Sequence, residues 1–237
     1  KTNMHFPAFN FNDSRFERKF VIQDLHYPEI VQKVRNSSAS FSGLHHPRYI
    51  NNIYFDTNDL DFYTDNVSGK GSRKKARIRW YDELLGDISK PILEFKMREG
   101  LVGNKLSFPL KPFVLDDNFT GDYIQDIFRL SELPDWVRSI MLMLKPSLLN
   151  RYHRQYFISF NHNFRLTVDD ELTYYGIGSG LNSFLEKHTS DDIIVELKYG
   201  QHHDGKESAN VTNSLPFRLS KSSKYVNGFE FLHPMVT

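Results

Sequence analysis

In the stretch KKARIRWYDE, residues 74 to 83, basic side chains recur at every second position as Lys75, Arg77 and Arg79. Successive side chains of a β-strand point to opposite faces, so these three share one face and Ala76, Ile78 and Trp80 the other. Such a row can bind anions, and the guanidinium fork matches the paired oxygens of a phosphate or carboxylate. A solvent-facing strand carries charge too. One strand does not separate the two readings.

The pattern recurs along the chain. Arg15, Glu17 and Lys19 share a face in RFERKFVI, although Arg18 interrupts the apolar alternation of Phe16 and Phe20. In ILEFKMRE, Glu94, Lys96 and Arg98 oppose Leu93, Phe95 and Met97. Tyr152 and Arg154 share a side, as do Arg165, Thr167 and Asp169, while Glu196 and Lys198 face away from Val195 and Leu197. These positions carry ten bases against four acids, a local excess of six, whereas the whole chain of 237 residues has a net charge of only +1. Like charges opposite each other on neighbouring strands repel. The excess therefore implies a polyanion that neutralises it, and the low overall charge gives no reason to expect nucleic acid or an anionic membrane as partner.

The positioning elements follow from composition and period. With 39% hydrophobic, 25% charged and 14% aromatic residues, the chain reads as a globular, strand-rich protein. Strands are predicted at 15–22, 49–56, 75–82, 92–99, 105–110, 151–160, 164–172 and 192–199. Helices are predicted at 28–36, 123–130 and 134–144, the last beginning at Pro134. A short C-terminal helix is predicted with Ser220 as its cap and Gly228 as its stop, and 200–210 reads as a polar turn. The fold class is α+β, with about eight antiparallel strands closed into a barrel. Its basic faces line a tunnel and its helices cover the apolar outside. No linker breaks the chain, so residues 1–237 read as one domain. No apolar run of about 18 residues spans a membrane, and no signal peptide is expected. Zero cysteines exclude disulfides and thiolate metal sites, which fits a cytoplasmic location.

The segments RFERK, RIRWY, LEFK, RYHRQY, FRLTVD, VELKY and SKSSKYVNG, in this order from about residue 14 to residue 228, together resemble the VTC domain of the triphosphate tunnel metalloenzymes. The resemblance implies an antiparallel tunnel barrel. It implies phosphate binding by Lys19, Arg77, Arg79, Lys96, Arg154 and Arg165 beside Tyr152, with Lys105 a looser match. It assigns metal binding to Glu196 and matches a terminal serine-lysine pair to Ser223 and Lys224, with Lys221 nearby. Arg15 stands where the wider superfamily has a first glutamate, leaving Glu17 as a second metal candidate. A further basic residue that the family places before the RIR strand has no clear match in FYTDNVSGKG, and Arg73 is no more than a candidate for it. Arg15, Lys75, Arg98 and Lys198 complete the phosphate-binding set.

Phosphoryl transfer asks a protein mainly for positioning and charge neutralisation. Glu196 is a hard ligand suited to Mn²⁺ or Mg²⁺, although as an ion-pair partner it would look the same in sequence. A terminal phosphate is already an anionic nucleophile, whereas water must be deprotonated. Arg15 in place of a carboxylate therefore favours a polyphosphate polymerase that takes ATP and inorganic polyphosphate, with product threading out of the far end of the tunnel. The rivals are a tri- or polyphosphate hydrolase of the same fold and a non-catalytic polyphosphate-binding module. His45, His46, His202 and His203 read as solvated loop residues, and Asp169 as either a tunnel group or a turn charge.

Overall fold

The computed structural model describes residues 4–12, 14–178, 182, 184 and 187–234. Its strands are β1 (Arg15–Ile22), β2 (Ser42–Asp56), β3 (Ser72–Tyr81), β4 (Gly86–Ile88), β5 (Ile92–Glu99), β6 (Val102–Pro109), β7 (Phe113–Leu115), β8 (Lys145–Ile158), β9 (Phe164–Tyr175), β10 (Lys187–Ser190) and β11 (Ile193–Gly200). Its helices are α1 (Tyr27–Arg35), α2 (Asp61–Val67), α3 (Gly121–Leu130), α4 (Asp135–Met141), α5 (Lys206–Ser214) and α6 (Lys224–Leu232). Nine strands form one sheet in the order β10, β9, β11, β1, β6, β5, β3, β2, β8. Because β9 also pairs with β8, the eight strands from β9 to β8 close into a ring, with β10 attached outside it at β9. Every pairing is antiparallel. The seam between β1 and β6 is loose: they meet only where Arg15 lies opposite Gly103 and Phe16 opposite Val102.

The period-2 pattern decides what lies outside the ring. Ile53, Phe55, Ile78, Leu93 and Phe95 are buried against Phe128 of α3 and Val137 and Ile140 of α4. On the other side Phe20, Leu166, Val168, Val195 and Leu197 pack on Ile30 and Val34 of α1 and Val211 of α5. Local chemistry starts these helices. The Glu29 carboxylate accepts the His26 N–H at 2.9 Å, and the Thr120 hydroxyl accepts the Tyr123 N–H at 3.1 Å. Pro134 is the residue before α4 rather than its first helical residue.

Two helices and three short strands fall outside the sequence prediction. The segment read as a polar turn at 200–210 carries a 3₁₀ turn (Gln201–His203) and then enters α5. Helix α2 is held by a carboxylate upstream of it: buried Asp56 accepts the N–H groups of Thr57, Phe62 and Tyr63. Short β4, β7 and β10 lack the length for a readable alternation.

Helix α6 departs from the expectation that all helices cover the outside. Its Tyr225 and Phe229 pack with inward-facing Ile50, Tyr54, Leu148, Tyr152, Tyr174 and Ile194, filling one end of the barrel. The Tyr225 hydroxyl donates to Asp56 at 2.6 Å and its ring stacks on Tyr54 at 5.2 Å. Its cap is Ser223, which accepts the Val226 N–H at 3.2 Å, and not Ser220. Gly228 does not stop the helix either. It lies within α6, where an added Cβ would stand 2.3 Å from Tyr174 Cδ1 and 2.8 Å from Leu148 Cδ2. Close approach, not termination, is why glycine is needed. Gly228→Val should therefore lower stability by about 1–3 kcal/mol, visible as a drop of several degrees in thermal melting. An unchanged melting temperature would mean that α6 is not seated in the barrel end.

Candidate functional site

The inward rows bring the predicted cations into one interior. Eight of them, Lys19, Arg77, Arg79, Lys96, Arg154, Lys198, Lys224 and the exposed Lys105, meet four carboxylates, Glu17, Glu94, Asp169 and Glu196, and a ninth, Lys75, bonds Ser223. Glu94 is the most heavily engaged. It is buried and takes Arg77 at 2.7 Å, Lys105 at 2.5 Å and Arg79 at 3.7 Å. Arg79 is oriented further by Asn52, which accepts its Nε–H at 3.0 Å, and by the Tyr152 hydroxyl at 3.1 Å. Fully buried Asp169 takes Arg154 through two bonds of 2.5 and 2.6 Å and Lys224 at 2.6 Å. It is a tunnel group and not a turn charge.

Glu196 is held only at longer range, whereas Glu17 has one close lysine. Lys198 Nζ stands 3.5 Å from Glu17 and 3.4 Å from Glu196, so both carboxylates lie around one ammonium. Lys96 reaches Glu17 at 2.7 Å, while Lys19 and Arg154 stand 3.9 and 3.6 Å from Glu196. Lys75 has no carboxylate partner among the described residues and donates to Ser223 at 2.7 Å, and Lys19 donates to the Ser222 carbonyl at 3.0 Å. The loop before α6 thus enters the basic interior.

Other predicted residues lie at its edge. Arg15, Arg165 and Lys221 are exposed, and Arg98 bonds the Gly100 carbonyl at 3.0 Å. Arg73 lies opposite Arg98 in the β3–β5 register. Asn52 and Asn150, which bond at 2.8 Å in the interior, escaped sequence reading, and the Thr167 hydroxyl, on the face alternation gave it and opposite Glu196 in register, is buried without a hydrogen-bond partner among the described residues. The alternation of the two asparagines is visible in sequence, but uncharged residues carry no signal. His45 and His46 belong to β2 and not to a loop. One cluster, His153, Asp170 and Glu171, offers ligand atoms within 4.8 Å of one another. It lies on the outer face beside Tyr27 of α1, with the His153 and Tyr27 rings 6.2 Å apart, and is separate from the Glu17–Glu196 pair.

The VTC domain family matches residues 14–233 of the chain. The chain belongs to the VTC domain family. It is 25% identical over 231 residues to subunit 4 of the vacuolar transporter chaperone complex of Schizosaccharomyces pombe. That match covers 77% of this chain and 32% of the relative, so the chain spans about a third of its length. A Pyrococcus horikoshii OT3 structure is similar in fold, with a TM-score of 0.52 at 15% identity over 92% of this chain and 99% of that one. So is a Hippeastrum protein described as having a dominant triphosphatase activity, with a TM-score of 0.50 at 16% identity over 92% of this chain and 95% of that one.

The interior of this VTC domain is electrostatically unbalanced, and its lysines register that. Burial and neighbouring cations push Lys19 down to about 8 and Lys96 to about 7, with Glu17 opposing the fall in both. Lys75 falls well below the ordinary lysine value through burial and the charges of Lys19 and Lys96, and Lys198 moves down too, chiefly through burial. Burial would raise the carboxylates, but Arg77, Arg79 and Lys105 hold Glu94 down, and Arg154 and Lys224 do the same for Asp169.

Two outcomes follow from this balance. Between the folded lysine values near 7 to 8 and an unfolded value of about 10.4, the unfolded chain binds more protons. Ligand-free stability should therefore rise from about pH 7 to about pH 10, and saturating tripolyphosphate should flatten the rise by restoring lysine charge. Thermal melts across that range check it, and a fall in ligand-free stability would contradict the crowding. Glu94→Gln leaves three cations facing one another and should destabilise the ligand-free domain by about 3–5 kcal/mol. Denaturant titration should show that deficit shrinking when tripolyphosphate supplies the missing negative charge.

Proposed function

We propose that this domain is a polyphosphate polymerase. The observation that carries the reading is the closed ring holding nine cations around four carboxylates, in a chain of the VTC domain family. A terminal phosphate oxygen of the growing chain attacks the ATP γ-phosphorus, the bond from that phosphorus to the β–γ bridging oxygen breaks, and ADP leaves. Arg77, Arg79 and Arg154 present guanidinium groups already oriented by Glu94, Asn52 and Asp169, so little reorganisation accompanies phosphate binding. Lys19, Lys75, Lys96 and Lys198 supply charge along the chain, and the attacking oxygen, already anionic, needs no general base.

The reading also includes a divalent ion. Glu17 and Glu196 converge on one ammonium, which supports their sharing a cation, and the unpartnered Thr167 hydroxyl adds a hard oxygen opposite Glu196. Mn²⁺ or Mg²⁺ held there would neutralise phosphate charge during transfer. The same reading treats residues 1–237 as one domain acting where ATP is at hand, in the cytoplasm. No helix among the described residues is long and apolar enough to cross a membrane. Because α6 fills one barrel end, product leaving that way would have to displace Tyr225 and Phe229. The simpler route is through the other mouth.

The test is incubation of the domain with ATP and Mn²⁺, the products resolved on a gel. Long phosphate polymers are expected; free phosphate alone would make the domain a hydrolase, and no product a binding module. Arg77→Ala and Arg79→Ala should each weaken tripolyphosphate binding by about 1.5–3 kcal/mol in calorimetry, and unchanged affinity in both would remove the phosphate role of that row. Glu196→Gln should reduce metal-dependent turnover by orders of magnitude while metal-free polyphosphate binding persists or tightens. Wild-type turnover across a Mn²⁺ titration would exclude Glu196 as the essential ligand.

A further inference from the structure

Past Arg79 and Arg154 the inward rows continue to three residues that the phosphate path does not use. Arg48 of β2 lies opposite Arg154 in the β2–β8 register, Tyr81 of β3 lies opposite Ile50, and Tyr156 of β8 lies opposite Thr167. The Arg48 guanidinium lies over the Tyr81 ring at 4.0 Å from its centroid and 5.2 Å from that of Tyr156. Its Nε–H donates to the Tyr156 hydroxyl at 3.3 Å. The exposed His45 ring meets Tyr156 edge-on at 5.4 Å. Along β2, Arg48 stands at the opposite end of the inward row from Asp56, which binds Tyr225 of α6, and the partly buried Tyr81 and Tyr156 border the cluster around that helix.

Arg48 is built differently from the cations deeper in the tunnel. Arg77, Arg79 and Arg154 have carboxylates fixing their N–H edges. Arg48 makes no ion pair among the described residues, and its contacts are tyrosine rings and one tyrosine hydroxyl. A half-buried guanidinium laid on aromatic rings forms a flat π-surface with them, which is what a heterocyclic base stacks on. The neighbouring Arg154, whose guanidinium lies 5.9 Å from the Tyr156 ring, ties this surface to the phosphate path. On the reading that ATP is the phosphoryl donor, we propose that Arg48, Tyr81 and Tyr156 form a stacking plate that seats the nucleobase of the donor nucleotide. No base-edge recognition is built into it, so adenine and guanine bind alike, and the plate separates a nucleotide donor from the base-free polymer sharing the tunnel.

Metal-free calorimetry at fixed ionic strength tests this with ATP, ribose 5-triphosphate and tripolyphosphate as probes. The first two carry the same triphosphate and differ by the base. Wild-type protein should bind ATP about tenfold tighter than ribose 5-triphosphate, as expected for one stacked base. Tyr81→Leu should remove most of that preference while leaving ribose 5-triphosphate and tripolyphosphate affinities unchanged, because no charge is lost. Tyr81→Phe keeps the ring and should keep the preference. Equal wild-type affinity for ATP and ribose 5-triphosphate overturns the plate without any variant having to fold, and so does a preference that survives both Tyr81→Leu and Arg48→Gln. If tripolyphosphate still binds in those cases, the plate alone fails; if wild-type protein binds none of the three probes, the polymerase reading fails with it.

Discussion

Glu94 joins Arg77, Arg79 and Lys105 on three adjacent strands, and the basic wall depends on that carboxylate. Closing the sheet places like charges from six strands in one interior, where screening by water is weak and repulsion between cations is strong. Glu94 and Asp169 answer this locally by drawing guanidinium and ammonium groups into short ion pairs. The remaining positive excess is not neutralised, and the lysines lose affinity for protons through burial first and through their cationic neighbours second. A folded protein with this imbalance is less stable than it would be with a polyanion in place, which is the thermodynamic meaning of a binding site.

The rest of the fold keeps that imbalance from tearing the ring open. Two apolar clusters on opposite outer faces clamp the strands from outside, one through α3 and α4 and the other through α1 and α5. Helix α6 acts from within. Tyr225 ties it to Asp56, which also holds the start of α2, so one buried carboxylate couples the plug to the wall. Lys224, in the first turn of the same helix, reaches Asp169 in the wall, and its ammonium lies 4.6 Å from the Tyr152 ring. Anchoring of the plug and neutralisation of Asp169 therefore share a helix.

The interior also has a direction. Guanidinium groups clamped by carboxylates and buried amides lie beside an end packed with aromatic side chains, and Arg48 rests on tyrosines farther along β2 from Asp56. Glu196 is set apart from the strongest clamps, held only at 3.4 to 3.9 Å by Lys198, Arg154 and Lys19, and Glu17, bonded closely by Lys96, shares Lys198 with it. The acidic cluster at His153 sits on the other side of the wall.

Alternation along a strand is a local property, and what depended on it was legible in the chain itself. The bounds of β1 and β5 agree with the hydrophobic pattern, and the charged rows of β1, β3, β5 and β11 face inward as period 2 requires. Longer-range outcomes were not legible. Strands β2 and β8 extend past their predicted limits through register shifts, which bring His45 and Arg48 into the wall where the sequence alone suggested a loop. Glu17 meets Lys96 across 79 residues and Arg48 meets Tyr156 across 108, pairings decided by strand order and register. The insertion of α6 rests on Gly228 finding space against Tyr174, a contact no helix pattern encodes. The sequence by itself determined which side chains share a face, because that follows from backbone geometry one residue at a time. Only the tertiary structure decided which faces close on one another, because ring closure depends on the packing of every strand and helix at once.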